Sequence, residues 1–279
     1  MTAVLLALAA SFSWGFADFG AGVAARRLPL FVVAAISQSA GLALAVAAVV
    51  LAGRKAPTAA QFAWAAGAGL IGIVGISAFY RALAVGTMGI IGPITATAAI
   101  VPVAYGLARG ERPSTLQGVG VGLAAVGIVA ASLEPMPEGR RRKIGTGVGL
   151  ALAAALCFGC SLIGLSRAAP GGAAWAVMTM RLAVVPVVIL VAVLVKGHSP
   201  SPARGWLLLV GVGFVDTGAT LLYSVATTKG LLSVVAVLSS LYPIVIVVLA
   251  RLLLSERIAR VQLAGVAVAL AGVALISAG

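Results

Sequence analysis

Charge is what this chain most lacks. Asp, Glu, Lys and Arg make up 9% of its 279 residues, 62% are hydrophobic, and the mean hydropathy is +1.19. A soluble globule needs a charged skin, and 279 residues cannot hide so much apolar surface in one core, which excludes a water-soluble protein. Acidic residues are rarer still, six against 19 basic ones. The net charge of +13 would suit nucleic acid. However, the Lys and Arg residues stand singly or in small groups at the ends of apolar runs, where basic residues flank membrane spans, so no nucleic-acid partner is expected. Histidine occurs once, at His198, and cysteine twice, at Cys157 and Cys160. That C-x-x-C lies inside an apolar run with no further Cys, and reads as two small residues on a helix surface rather than a zinc or redox motif. There is also no nucleophile with a base and no phosphate-cradling Gly-rich loop beside a Lys. No catalytic residue, cofactor or metal is expected, and the chain does not read as an enzyme.

What is present is apolar sequence in lengths near the roughly 20 residues that cross a bilayer. The runs are 3–23, 29–52, 61–85, 87–108, 114–133, 144–166, 173–195, 205–228, 230–254 and 259–278. Backbone groups in lipid must be satisfied internally, and no period-2 alternation suggests a barrel, so all ten are expected to be helices. The first has no basic residue ahead of it and no polar cleavage region behind it, and reads as a retained helix rather than a signal peptide. A polar, proline-bearing, basic linker at 134–143 divides the runs five and five.

The two halves repeat. Glu111-Arg112, Gln117, Gly120, Val121, Ala124, Gly127 and Ser132 recur 145 positions later as Glu256-Arg257, Gln262, Gly265, Val266, Ala269, Gly272 and Ser277. Glu and Gln each occur four times in the chain, so their appearance in register outweighs the Ala, Val and Gly matches. Weaker matches set Trp14-Gly15 against Phe158-Gly159 and Phe79-Tyr80 against Leu222-Tyr223. Five crossings bring the chain to the opposite side, so the second copy enters the membrane upside down. The expected fold is an all-α membrane protein of ten transmembrane helices in two inverted five-helix repeats, 1–133 and 144–279, with a site near the midplane and the means to open to each face in turn.

The Tyr80-Arg81-Ala82-Leu83 end of the third run resembles EamA-type members of the drug/metabolite transporter superfamily. So do Leu241-Tyr242-Pro243 with Glu256-Arg257 thirteen residues on, and the Gly265/Gly272 spacing. The likeness covers the whole chain as two tandem EamA domains. The first copy departs from it, with Ala98 where the second has Pro243, Pro102 a turn later, and Gln38 in place of Arg181. The resemblance implies a central cavity lined by spans one, three, four, six, eight and nine, where Trp14 and Phe158 face each other and tyrosines supply hydroxyls. It also implies cytoplasmic termini. The basic residues argue the reverse: cytoplasmic termini would leave twice as many Lys and Arg outside as inside, and the positive-inside rule favours a cytoplasmic linker.

Charges within spans cost about 2.5–3.5 kcal/mol at mid-helix and face a cavity or a partner. Asp216 in span eight and Arg181 in span seven should lie at depths about 6 Å apart, from a rise of about 1.5 Å per residue, within side-chain reach. Asp18 and Arg81 lie toward one face on spans one and three. These four form either helix-locking ion pairs or a transport site in which Asp216, Asp18 or both meet a substrate amine or a coupling proton. Candidate transport residues are thus Trp14, Asp18, Tyr80, Arg81, Phe158, Arg181, Asp216, Tyr223 and Tyr242. An interface-anchor role competes for Tyr80 and Tyr242, and is favoured for Trp64 and Trp206. Pro93, Pro102 and Pro243 are candidate hinges, and Pro186 should also kink its span. Gly118-x-x-x-Gly122 and Gly145-x-x-x-Gly149 read as helix-packing positions, and Glu111 and Glu256 as anchors or caps at turns. Asp216→Asn is expected to stop proton-driven movement without disturbing folding.

The expected protein is a bacterial inner-membrane, multi-pass carrier that exports small organic molecules by alternating access. The resemblance suggests amino acids, related metabolites or amphiphilic drugs as cargo. Its partners are that small-molecule substrate, the lipid bilayer and a coupling proton if one is used; the sequence leaves the oligomeric state open, and a monomer is compatible with it. The alternatives are an importer of sugars or nucleotide sugars in the same fold, a lipid-modifying membrane enzyme, and a channel.

Overall fold

A computed structural model describes residues 1–25, 28–53, 55–85, 91, 94–133, 147–194, 205–254 and 259–279. The expected linker, Pro93, His198, Gly145 and the Glu256-Arg257 pair lie outside the described residues. Within them every regular element is helical: α1 (Thr2–Ala25), α2 (Leu30–Ala52), α3 (Ala59–Val85), α4 (Ile94–Ala108), α5 (Thr115–Ala131), α6 (Val148–Ala168), α7 (Ala173–Leu194), α8 (Trp206–Thr227), α9 in two pieces (Leu232–Ser239 and Tyr242–Leu254), and α10 (Arg260–Ala278). Eight contain apolar stretches of 19 to 24 residues, enough to cross a bilayer; α4 and α5 are shorter within the described residues.

Local chemistry places the helix ends. Gln117 and Gln262, the glutamines that repeat in register, do the same work: each side-chain oxygen accepts the backbone N–H three residues earlier, of Ser114 at 3.1 Å and of Ala259 at 2.9 Å. Ser114 completes a reciprocal cap by accepting from the Gln117 N–H at 3.2 Å. Gly53 closes α2 at φ 56, where its N–H returns to the Val49 carbonyl.

The seam between α5 and α10 fixes the relation of the two copies. A Cβ on Gly120 would stand 2.7 Å from the Gly272 carbonyl oxygen, and one on Gly272 2.6 Å from that of Gly120. Gly127 lies equally tight against Ala269, and Gly265 against Ala131. Ascending α5 therefore meets descending α10, so these corresponding helices run antiparallel, which is the signature of an inverted repeat. Without side chains between them the backbones approach closely and gain dispersion contact along the whole seam. The positions expected to do this do not: Gly118 and Gly122 have nothing within 4 Å of a Cβ, and neither has Gly149. The correct spacing is seven, Gly120/Gly127 and Gly265/Gly272. A four-residue spacing without the facing helix cannot show which stripe is buried.

The remaining contacts obey the same pseudo-two-fold. α1 packs on α8 as α6 packs on α3, α2 on α8 as α7 on α3, and α2 meets α7 across the axis. Gly15 of α1 abuts Val245 and the Tyr242 carbonyl, and Gly159 of α6 abuts Val101 and the Ala98 carbonyl, each partner shifted by 144 positions. The same shift relates the ring pairs Trp14–Tyr223, with centroids 5.7 Å apart, and Phe158–Phe79, at 6.5 Å. The geometric counterpart of Tyr223 is therefore Phe79, not Tyr80 as the sequence alignment has it.

Candidate functional site

The two helices at the centre of the bundle are broken at matching positions. α4 tightens into a 3-10 turn at Thr97–Ala99, and α9 interrupts at Ser240 and Leu241 before resuming at Tyr242. Pro243 supplies no N–H, so the Ser239 carbonyl has no donor four residues on. In the first copy the Thr97 hydroxyl donates to the Ile94 carbonyl at 2.6 Å, and that of Thr95 to Ile91 at 2.9 Å, both bonds turned back into the chain. Pro102 is buried in the first turn after the α4 break, where a missing donor costs little. Irregular backbone at this depth is tolerable where it lines a cavity.

It does line one. A chamber of about 300 Å³ lies between the repeats, walled by Thr95, Ala96 and Ala98 at one break and by Ser239, Ser240, Tyr242 and Pro243 at the other. Trp14, Asp18, Gln38, Phe158, Arg181, Asp216 and Thr220 also face it, with apolar wall from α3, α6 and α7 between them.

Arg181 is the hub of its polar side. The residue is 4% exposed, and its guanidinium bonds Asp216 at 2.7 Å, Thr220 Oγ1 at 3.3 Å and the Gln38 side-chain oxygen. The Nε atom is buried without a partner. The depth estimate from helical rise thus becomes a direct ion pair between α7 and α8, tied by Gln38 to α2 of the other repeat. Asp18 is different. It is exposed on the chamber side of α1 and has no hydrogen-bond or ion-pair partner among the described residues. Counting the Arg181–Asp216 pair as neutral, the chamber holds one uncompensated carboxylate among the described residues.

Trp14, Asp18, Phe158, Arg181, Asp216 and Tyr242, with the hinge candidate Pro243, thus converge on one chamber; the other three transport candidates and Pro102 do not line it. Tyr223 is fully buried, donating its hydroxyl to the Leu162 carbonyl at 3.1 Å, so it braces α8 against α6 and offers no hydroxyl to the cavity. Tyr80 is 40% exposed beside Phe79, outside the lining. Arg81 is exposed and makes no ion pair with Asp18. A substantial aromatic or basic residue near mid-span was not enough to place these; which way each helix faces decided it. Gln38 and Thr220 were missed as site residues. The signal for Gln38 was its alignment with Arg181, which it now touches. Among the described residues no three His, Cys, Asp or Glu side chains gather to hold a metal, and Cys157 and Cys160 are free thiols. Trp64 and Trp206 are about half exposed, with Arg167 6.0 Å above the Trp64 ring.

Packing around the chamber is unequal. On the face carrying both termini one continuous core joins both repeats. Ala3, Ala7 and Ala10 of α1 and Tyr223 and Ala226 of α8 close around the first piece of α9, whose eight residues are all buried. Toward the opposite face the described residues include that core's end at Ile128 and Ala131 and two further clusters, Ala24/Val33/Leu209 and Ala82/Ile91/Ala151. The buried first piece of α9, which ends at Ser239 in the chamber wall, packs on the terminal side of the chamber.

Comparison with known proteins agrees with this architecture. One solved crystal structure superposes with a TM-score of 0.80 at 18% sequence identity, over 99% of this chain and 97% of the other, which establishes a shared fold. No curated protein matches. The model of the EamA-like transporter family matches twice, over residues 1–133 and 145–278. Two tandem matches, on two halves that pack head-to-foot around a central chamber, make this chain an integral-membrane, multi-pass member of the EamA-like transporter family.

Proposed function

We propose that the chain is a secondary transporter that exports a small organic metabolite, an amino acid or amphiphilic amine, by alternating access in the bacterial inner membrane. The observation that carries this reading is the Asp18 carboxylate, which has no partner among the described residues, in a largely apolar chamber between the inverted repeats that also presents aromatic rings and the Arg181–Asp216 pair. A lone carboxylate beside Trp14, Phe158 and Tyr242 suits a protonated amine on an apolar body, with the rings adding cation–π attraction. The same oxygen atoms can hold a proton, so amine and proton compete for one acid and cross in opposite directions. Arg181 and Asp216 neutralise each other and keep the polar wall in place while this exchange occurs.

The chamber's size supports small cargo. About 300 Å³ equals the room of roughly ten liquid waters and lies at the lower end of the range of about 300–1,000 Å³ for small-molecule sites. With both termini cytoplasmic, the face on which the first piece of α9 is buried is the cytoplasmic one.

The test is counterflow in proteoliposomes of purified protein, using labelled amino acids, organic amines and sugars with and without an imposed proton gradient. Saturable movement of an amine that Asp18→Asn abolishes is expected. Movement of nucleotide sugars without amines, or unchanged amine transport by Asp18→Asn, would refute the reading.

A further inference from the structure

The turn between α4 and α5 reaches across the repeat boundary. The Glu111 carboxylate accepts the backbone N–H of Leu232 at 2.6 Å and of Ser233 at 2.9 Å, which are first-turn donors at the start of α9, 121 and 122 residues away. Free N–H groups and the positive end of the helix dipole make that terminus a natural seat for a carboxylate. The carboxylate lies over Gly106, where a Cβ would collide with it. The Glu111 N–H is also held by the Gly106 carbonyl at 3.0 Å, so backbone and side chain are both fixed. The piece of α9 held in this way, Leu232–Ser239, is the wholly buried segment that plugs the chamber on the terminal face. Ser239 ends that piece at the chamber and bonds the Ala7 carbonyl of α1 at 3.4 Å.

We propose that Glu111 is the latch of this closure: its grip on the α9 N-terminus keeps the plug seated, and letting go of Leu232 and Ser233 opens the chamber toward the termini. The latch joins the first repeat to the second across the boundary that alternating access must shear, so the inference rests on the reading above. It assigns Glu111 a positioning role, with no contact to cargo. Arg112, its neighbour, is exposed and takes no part.

The test reads conformation directly. A single reporter cysteine, Val237→Cys, is placed in a Cys157→Ser/Cys160→Ser background, and its alkylation rate by a small thiol reagent is followed in full-length protein in membranes. With Glu111 intact the buried reporter should react slowly. Glu111→Gln, which keeps the shape but loses the charge, should raise the rate about ten-fold, as expected when charge-assisted bonds to a helix terminus weaken. Glu111→Ala should raise it further, and Gly106→Val, which forces the carboxylate aside, should match it. A second reporter, Ser132→Cys, remote from the plug, should react at its parental rate in every variant. That invariance, together with a monodisperse elution profile, separates unlatching from unfolding. Unchanged alkylation at 237 in both Glu111→Gln and Gly106→Val overturns the latch and leaves the transport reading intact. Failure to find any transported solute while alkylation rises as stated would instead overturn the transport reading and leave the latch.

Discussion

Replacing Asp216 with Asn should destabilise the protein, contrary to the expectation that it would only disable transport. Arg181 is 4% exposed and Asp216 24%, at 2.7 Å. Removing one partner of a buried ion pair costs about 3–5 kcal/mol, because the remaining charge stays desolvated. The chamber wets part of Asp216, and Gln38 and Thr220 still accept from the guanidinium, which together bring the cost down to about 2–3 kcal/mol. At about 2–4 °C per kcal/mol for a chain near this size, the thermal midpoint in detergent should fall by roughly 5–10 °C. Asp18→Asn is the internal control: Asp18 has no partner among the described residues, so the midpoint should hold steady or rise. The double variant Arg181→Met/Asp216→Asn removes the stranded cation and should recover most of the loss. An Asp216→Asn midpoint within about 1 °C of the parent would mean that the pair is not desolvated and would return Asp216 to the transport candidates.

Other expectations follow from named contacts. Gly127→Val should lower the midpoint by the equivalent of about 1–3 kcal/mol by wedging the α5–α10 seam, while Gly122→Ala, with open space around it, should leave the midpoint where it is. In counterflow, Trp14→Ala should alter the KM and the ranking of amine substrates, whereas Tyr223→Phe should leave that ranking alone and cost about 1 kcal/mol of stability for one lost bond to Leu162. Epitope or cysteine accessibility at 110 and 259 should report opposite membrane faces, since these turns occupy corresponding places in inverted copies; labelling from one face alone would contradict the fold.

Much of the fold was legible because it depends on patterns inside single segments. Ten apolar runs, a five-and-five division and a register near 145 are one-dimensional facts, and Glu111, Gln117 and Gln262 marked a turn and two helix starts where polar side chains must pair. What escaped were facts that need two segments at once. Gly120 and Gly127 face α10, whereas Gly118 and Gly122 do not, and the apolar composition is uniform around α5, so no stripe singles out either set. The partner of Glu111 lies more than a hundred residues away. Phe79 was passed over for Tyr80 because the alignment slips by one residue in that span, and one residue turns a helical side chain by about 100°. Asp216 and Arg181 were singled out correctly as a pair within reach; that Arg181 also takes Gln38 from the other half became visible when α2 met α7.

The seam of α5 and α10 carries a historical implication. Gly120 meets Gly272, the counterpart of Gly127, and Gly127 meets Gly265, the counterpart of Gly120, so the surface is complementary to an upside-down copy of itself. A half-length ancestor with such a helix would have needed no second partner species. It could have paired with a molecule of its own kind inserted in the reverse sense, and later gene fusion would have frozen that antiparallel couple into one polypeptide.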